Sequence, residues 1–259
     1  MKKSVTTVVR KGWLAVWLAC ITMAVVSCSG GASDARSKLQ AAVTDMQSKL
    51  PMDLGVTGEM SAVSFDDSTL TIHFKMAMPI DVDVLKQNEE LTKLSIITNY
   101  CLMEEEQMKL VELVTEAGVT LKLEIEGQSD ELATFSFPAN EMEAMLGSET
   151  DESKLAYQYL TAQAELTQMQ TPMVVDGVTT LKDVTLENMR FLFSYEVNDS
   201  VVDMDALEQN KDAMRQNILM TSSSDPVTGM LKQRCDQAGV KLTYRYVGKK
   251  SGKELEIEL

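Results

Sequence analysis

Few side chains in this chain could carry out chemistry, and most of them stand alone. His73 is the single histidine. Its imidazole is the natural base or metal ligand near neutral pH, but a histidine-based triad would have to be completed around this one residue. It falls at an outward position of a predicted strand, where an exposed surface residue is the simpler reading. Cys101 and Cys235 could serve as nucleophile or metal pair. The internal comparison below matches Cys235 with Val114 and brings Cys101 near Ile218, so both read as small buried hydrophobes. An oxidising compartment would permit a disulfide between them, and the sequence leaves that pairing open. The soft sulfurs of Met76 and Met78 would suit Cu(I), yet both continue the inward face set by Leu70, Ile72 and Phe74. The acidic runs Glu104-Glu105-Glu106 and 149–152 lack the oxygen spacing of a calcium loop. Asp81/Asp83 and Asp203/Asp205 sit where helix caps are expected. Tyr244 and Tyr246 hold inward strand positions. Their rings suit packing, and with their hydroxyls they could line a ligand pocket. No nucleophile elbow, phosphate loop or paired-histidine zinc pattern occurs. No catalytic, cofactor or metal residue is therefore assigned, and no cofactor is expected.

The elements that must position these residues are written twice. Pro51-Met52 recurs as Pro172-Met173. At the same spacing Met60 meets Leu181, Val63 meets Val184, Leu70 meets Phe191, Ile72 meets Phe193 and Phe74 meets Tyr195. Leu85-Lys86-Gln87-Asn88 returns as Leu207-Glu208-Gln209-Asn210, and Ala117-Gly118-Val119 as Ala238-Gly239-Val240. Each copy opens with a helix, carried by Leu39, Val43, Met46 and Leu50 or by Leu155, Tyr159, Ala162, Leu166 and Met169 at helical spacing. A strand follows, with Leu70, Ile72 and Phe74 inward and Thr71, His73 and Lys75 outward. Helices come next, ending before Gly118 or Gly239, where glycine suits the left-handed position. Two alternating strands close the unit. Clean alternation predicts an α+β fold of two tandem homologous repeats, each an antiparallel sheet with helices packed on one face. The expected boundaries are 35–139 for the first repeat and 140–259 for the second, whose first part, 140–170, is a helical link. A longer loop at 221–226 is expected to set the second copy apart.

The N-terminus has a different grammar. Lys2, Lys3, Arg10 and Lys11 precede an apolar run from Trp13 to Val26, too short to span a bilayer as a helix. The run ends in Val25-Val26-Ser27-Cys28, which resembles the lipobox of bacterial lipoproteins, with valine at position 25 where leucine is commoner. The resemblance implies removal of 1–27 as a signal peptide and a thioether-linked lipid on Cys28. It also implies a lipidated tether over 28–34, whose small neutral residues suit a flexible link. Ser29 after the cysteine, in place of aspartate, implies an outer-membrane anchor, and the absence of an acidic tag there implies a periplasmic face.

Loss of 27 residues leaves 232, enough for two domains of ordinary size. The formal charge of −15 becomes −19, because the leader takes four basic residues and no acid with it. Such a chain is a poor partner for nucleic acid. The sequence thus reads as a lipid-anchored envelope protein of interaction, assembly or scaffold type. It is held to the membrane by its N-terminal lipid and meets an envelope protein partner. Nothing specifies a reaction, so a non-enzymatic role is the expectation. An alternative is a binder of a small apolar or peptide ligand between the repeats. A carboxylate-dependent envelope hydrolase is a third reading.

Overall fold

The computed structural model describes residues 32–54, 58–77, 80–102, 105–148, 151–224 and 226–259. Residues 1–31, which hold the expected leader, Cys28 and the first part of the expected 28–34 tether, lie outside the described residues, as do Met78, Glu104, Glu149 and Thr150. Contacts divide the chain into two compact units, one ending at Asp151 and the other running over Glu152–Leu259.

The first unit contains α1 (Ala32–Gln47), β1 (Met52–Asp53), β2 (Gly58–Phe65), β3 (Thr69–Met76), α2 (Val82–Gln87), α3 (Glu89–Cys101), α4 (Glu105–Glu116), β4 (Thr120–Glu126), β5 (Leu132–Phe137) and α5 (Ala139–Ser148). The second repeats the order as α6 (Glu152–Gln168), β6 (Met173–Val174), β7 (Thr179–Glu187), β8 (Arg190–Val197), α7 (Met204–Gln209), α8 (Lys211–Ser224), α9 (Pro226–Gln237), β9 (Lys241–Gly248) and β10 (Glu254–Glu258). The sheets are ordered β1-β2-β3-β4-β5 and β6-β7-β8-β9-β10. The chain is therefore an α+β protein of two similar sheet-and-helix repeats.

Local chemistry recurs with the fold. Asp81 caps α2 by accepting from the amides of Asp83 and Val84, and Asp203 caps α7 through Asp205 and Ala206. Past α4 the chain turns at Gly118 with φ +65°, and the Val119 amide reaches back to the Val114 carbonyl. Past α9 the same closure uses Gly239 at φ +66°, with the Val240 amide on the Cys235 carbonyl. Gln47 donates from α1 to the Val63 carbonyl at 3.0 Å. Gln168 accepts from the Val184 amide at 2.7 Å, tying α6 to the same point of the second sheet.

The core of the first unit lies between the sheet and its helices. Leu39, Val43 and Met46 of α1 meet Met60, Leu70, Ile72, Phe74, Leu123 and Phe135, all buried. Their second-unit counterparts include Leu160, Leu181, Phe193, Tyr244 and Ile257, also buried. Met169, grouped by spacing with the inner face of α6, lies just past the helix and is 47% exposed.

Two features differ from the sequence reading. β3 and β4 run parallel, as do β8 and β9, while every other pairing is antiparallel. Helices α2 to α4 carry the chain back to the starting end of β3 before β4 begins, which is the connection a parallel pair needs. The segment 221–226 is not a long loop: α8 runs to Ser224, and α9 begins at Pro226, a position that tolerates proline. Between the repeats, the segment 140–170 is mostly helical, formed by α5 up to Ser148 and by α6 from Glu152.

Candidate functional site

Strand register decides which outward side chains meet. In the β2–β3 ladder Met60 opposes Phe74, but the next pair is Ala62 with His73. Ser61 is thus the extra residue of a β-bulge, a device that re-aims a side chain and recurs beside functional sites. Its Oγ lies 2.8 Å from His73 Nδ1. On the far side of the ring, His73 Nε2 lies 3.2 Å from Glu126 Oε2 at the end of β4. Lys75 Nζ holds the other oxygen, Glu126 Oε1, at 2.6 Å.

This ordering suits one placement of the protons, with Ser61 Oγ also 3.4 Å from the His73 carbonyl oxygen. A carboxylate at Nε2 favours the tautomer with its proton there, leaving Nδ1 to accept from the Ser61 hydroxyl. The Lys75 ammonium, aided by His73, holds the Glu126 carboxyl below its ordinary range, and Glu126 in turn raises the Lys75 ammonium. The His73 and Glu126 side chains are 22% and 18% exposed and Ser61 is half-buried, so all three are fixed yet within reach of solvent. The second unit keeps the bulge, between Leu181 and Asp183, but not the residues. Lys182, Ser194 and Val247 stand at the three places, and Ser194 Oγ accepts from Arg245 at 3.0 Å.

Ser61 and Glu126 were missed by reasoning from the sequence, although a signal was present. Inward residues along β2 step from Met60 to Val63, three apart in place of two, and the step recurs from Leu181 to Val184. That break in alternation marks a bulge and places the residue after Met60 outward, beside the histidine strand.

The second candidate region lies at one end of the second sheet. Two loops meet there, from Asn198 to Asp203 and from Gly248 to Lys253. Each is one residue longer than its counterpart in the first unit. There four residues separate Met76 from Asp81, against five between Val197 and Asp203. The turn closed by the Gly127 amide on the Glu131 carbonyl becomes one closed by Gly248 on Lys253. Asp199 ties the loops together, accepting from the amides of Lys250 at 3.0 Å and Ser251 at 2.7 Å. In the first unit the tie is a bond from the Gln128 side chain to the Ala77 carbonyl. The longer loops leave an open groove of about 310 Å³ lined by Asp199, Ser200, Val201, Val202, Asp203, Met204, Ser251 and Lys253. Val201 is 71% exposed, an apolar side chain offered to solvent. Lys253 Nζ pairs with Asp205 at 2.6 Å.

Ser251, through its hydroxyl and its amide, and the Lys250 amide hold the Asp199 carboxyl at about 2. A folded value below the unfolded one gives stability that is present above about pH 4 and is lost as pH falls through about 2. Asp199→Asn should therefore melt below the wild type at pH 7, with the difference closing near pH 2. Thermal melts followed by circular dichroism at both pH values check this, and an equal gap at both would refute the account.

Tyr244 and Tyr246 lie inside the second unit, 0% and 4% exposed. The parallel register sets Tyr244 beside Phe193 and Tyr246 beside Tyr195. The rings stack at 5.6 Å and 5.2 Å between centroids, with interplanar angles of 15° and 17°. Phe191 extends the cluster along β8, 5.1 Å from Phe193. Burial raises the Tyr195 and Tyr246 phenols well above their ordinary range.

Cys101 and Cys235 are both free thiols, Cys235 buried and Cys101 half-buried. Burial pushes the Cys235 thiol up to about 12 and raises Cys101 as well, the opposite of what a thiolate nucleophile needs. Met76 is 4% exposed on the inward face. Among the described residues no three histidine, cysteine or acidic side chains converge as a metal site, and no helix is long and apolar enough to cross a membrane.

Fold and sites together describe a two-unit repeat protein whose copies differ in the polar face of the sheet and in the loops at one sheet end. No family model matches the chain, and no curated protein matches it. Among solved structures, a Pseudomonas aeruginosa protein described as secreted is similar at 12% identity, over 45% of this chain and 99% of that one, with a TM-score of 0.32. That likeness is too slight to bear on fold or function.

Proposed function

We propose that this is a binding protein of the bacterial envelope, tethered by lipid on Cys28 to the outer membrane and facing the periplasm. Its ligand is a short peptide or small molecule with an apolar group. The observation that carries the reading is the groove of the second unit, formed where two neighbouring loops have each gained a residue. Val201 and Val202 offer apolar side chains to the groove, while Ser200, Ser251 and Lys253 supply polar groups to orient a ligand. The first unit's corresponding loops are each one residue shorter, so the groove is read as a feature of the second copy's loops. The net charge of −19 after processing argues against nucleic acid as the ligand.

The test is a photo-crosslinking residue placed at Val201 of the full chain, expressed in its lipidated form in living cells and read by mass spectrometry. Adducts of peptide or small-molecule mass, suppressed when Cys28→Ala removes the tether, support the reading. A single stoichiometric protein adduct would favour an assembly or scaffold role in its place. Absence of any adduct above the unirradiated control would overturn binding at the groove.

A further inference from the structure

We propose a second, chemically separate site in the first unit: Ser61, His73 and Glu126 form a nucleophile, base and orienting carboxylate able to cleave short-chain carboxylic esters. The inference does not depend on the groove, which lies in the other unit.

Four observations carry it. The contacts run in the order such chemistry requires, Ser61 Oγ to His73 Nδ1 at 2.8 Å and His73 Nε2 to Glu126 Oε2 at 3.2 Å. A nucleophile within hydrogen-bond reach of a base, itself oriented by a third group, is the general signature of an activated hydroxyl. The residues come from three different strands, β2, β3 and β4, and Ser61 reaches its place through the bulge. A charge pair with Lys75 fixes the carboxylate from behind, so the imidazole is held from one side and free to accept on the other. The second unit has the same strands and the same bulge but Lys182, Ser194 and Val247 at these places. The arrangement is therefore not something the fold imposes.

The chemistry balances with the groups present. Ser61 Oγ forms a bond to the ester carbonyl carbon as its proton passes to His73 Nδ1. The carbon–oxygen bond to the leaving alcohol then breaks, and the alcohol takes that proton from His73. Water, deprotonated by His73, attacks the acyl-serine, and Ser61 leaves with the proton as the carboxylic acid departs. Glu126 stabilises the imidazolium formed at each stage and is a positioning residue. The half-exposed setting on a sheet face suits small acyl groups, of which acetyl is the simplest.

The experiment uses the purified full chain with p-nitrophenyl acetate as substrate and a fluorophosphonate probe as an independent label. Wild type should hydrolyse the ester above the buffer rate, with Ser61→Ala and His73→Ala each lower by about 100-fold, the lower end of what such a base contributes. Glu126→Gln should lower kcat and leave KM unchanged, a split that a merely structural role would not produce. Lys182→Ala, the matching position of the second bulge, should keep the wild-type rate. The probe should attach to Ser61, as mapped by peptide mass. Wild-type hydrolysis no faster than buffer, an unchanged rate in Ser61→Ala, or labelling elsewhere than Ser61 would each overturn the proposal. Far-UV circular dichroism confirms that each variant is folded.

Discussion

Tyr244→Ala should destabilise the second unit by about 4 kcal/mol, as expected for truncating a large ring in a core that cannot collapse around the void. The side chain is fully buried on β9. It stacks 5.6 Å from Phe193 on the neighbouring strand, so its loss removes a ring contact as well as apolar area. Tyr244→Leu is the informative companion, because Leu123 fills that place in the first unit. Leucine there faces Ile72, whereas in the second unit it would face Phe193, so the exchange should cost about 2 kcal/mol and not restore a native-like core. Urea unfolding followed by far-UV circular dichroism measures both. The transition that shifts should be that of the second unit alone. A loss under 1 kcal/mol for the alanine variant would show that the aromatic cluster is not what holds this sheet to its helices.

Gly58→Ala should cost about 3 kcal/mol in the first unit, through backbone strain and overpacking together. Gly58 opens β2 at φ +144°, where L side chains rarely go. A Cβ built there would lie 2.1 Å from the Lys75 carbonyl oxygen and 3.0 Å from Met76 Cα. Both are backbone atoms of the paired strand, so no side chain can swing aside to make room. Gly118→Ala is the control for positive φ without crowding. Its φ is +65° and no atom lies within 4 Å of the added carbon, so about 1 kcal/mol is expected. Chemical denaturation of the two variants side by side separates strain from collision. Equal losses would mean that β2 can shift away from β3 at its open end.

The contrast between what was and was not legible in the sequence has a physical cause. Alternation along Leu70, Ile72 and Phe74 reports which face of a strand is buried, and the repeat doubled that signal. The faces, the duplication and the aspartate caps followed from it. Alternation carries no information on strand direction, because residues i and i+2 share a face whether the neighbour runs parallel or antiparallel. The parallel β3–β4 pair was therefore invisible. The Ser61–His73–Glu126 set lies across three strands, and its assembly depends on register between segments about fifty positions apart. His73 was seen, correctly, as an outward residue, but its neighbours could be named only once the bulge and the parallel register were known. The groove depends on two single-residue length differences, which stand out only when the repeats are superposed loop by loop. Cys28 and its lipid rest on the leader's resemblance to a lipobox.

The parallel central pair also sets the order in which each unit can come together. Lys75 and Glu126 are 51 positions apart, as are Ser194 and Arg245, so the central pairing closes the longest connection between neighbouring strands in each sheet. The β2–β3 and β4–β5 hairpins, with their short connections, have much less chain entropy to overcome, and loop-closure cost rises with the logarithm of length. Each unit therefore has two outer hairpins that can form early and one central seam that joins late, the non-local contact that slows folding. Because the seam spans the same length in both copies, its loop-closure cost is alike in each, and the two seams differ in the side chains that join them. One seam is zipped by Ile72, Leu123, Phe74 and Ile125, the other by Phe193, Tyr244, Tyr195 and Tyr246.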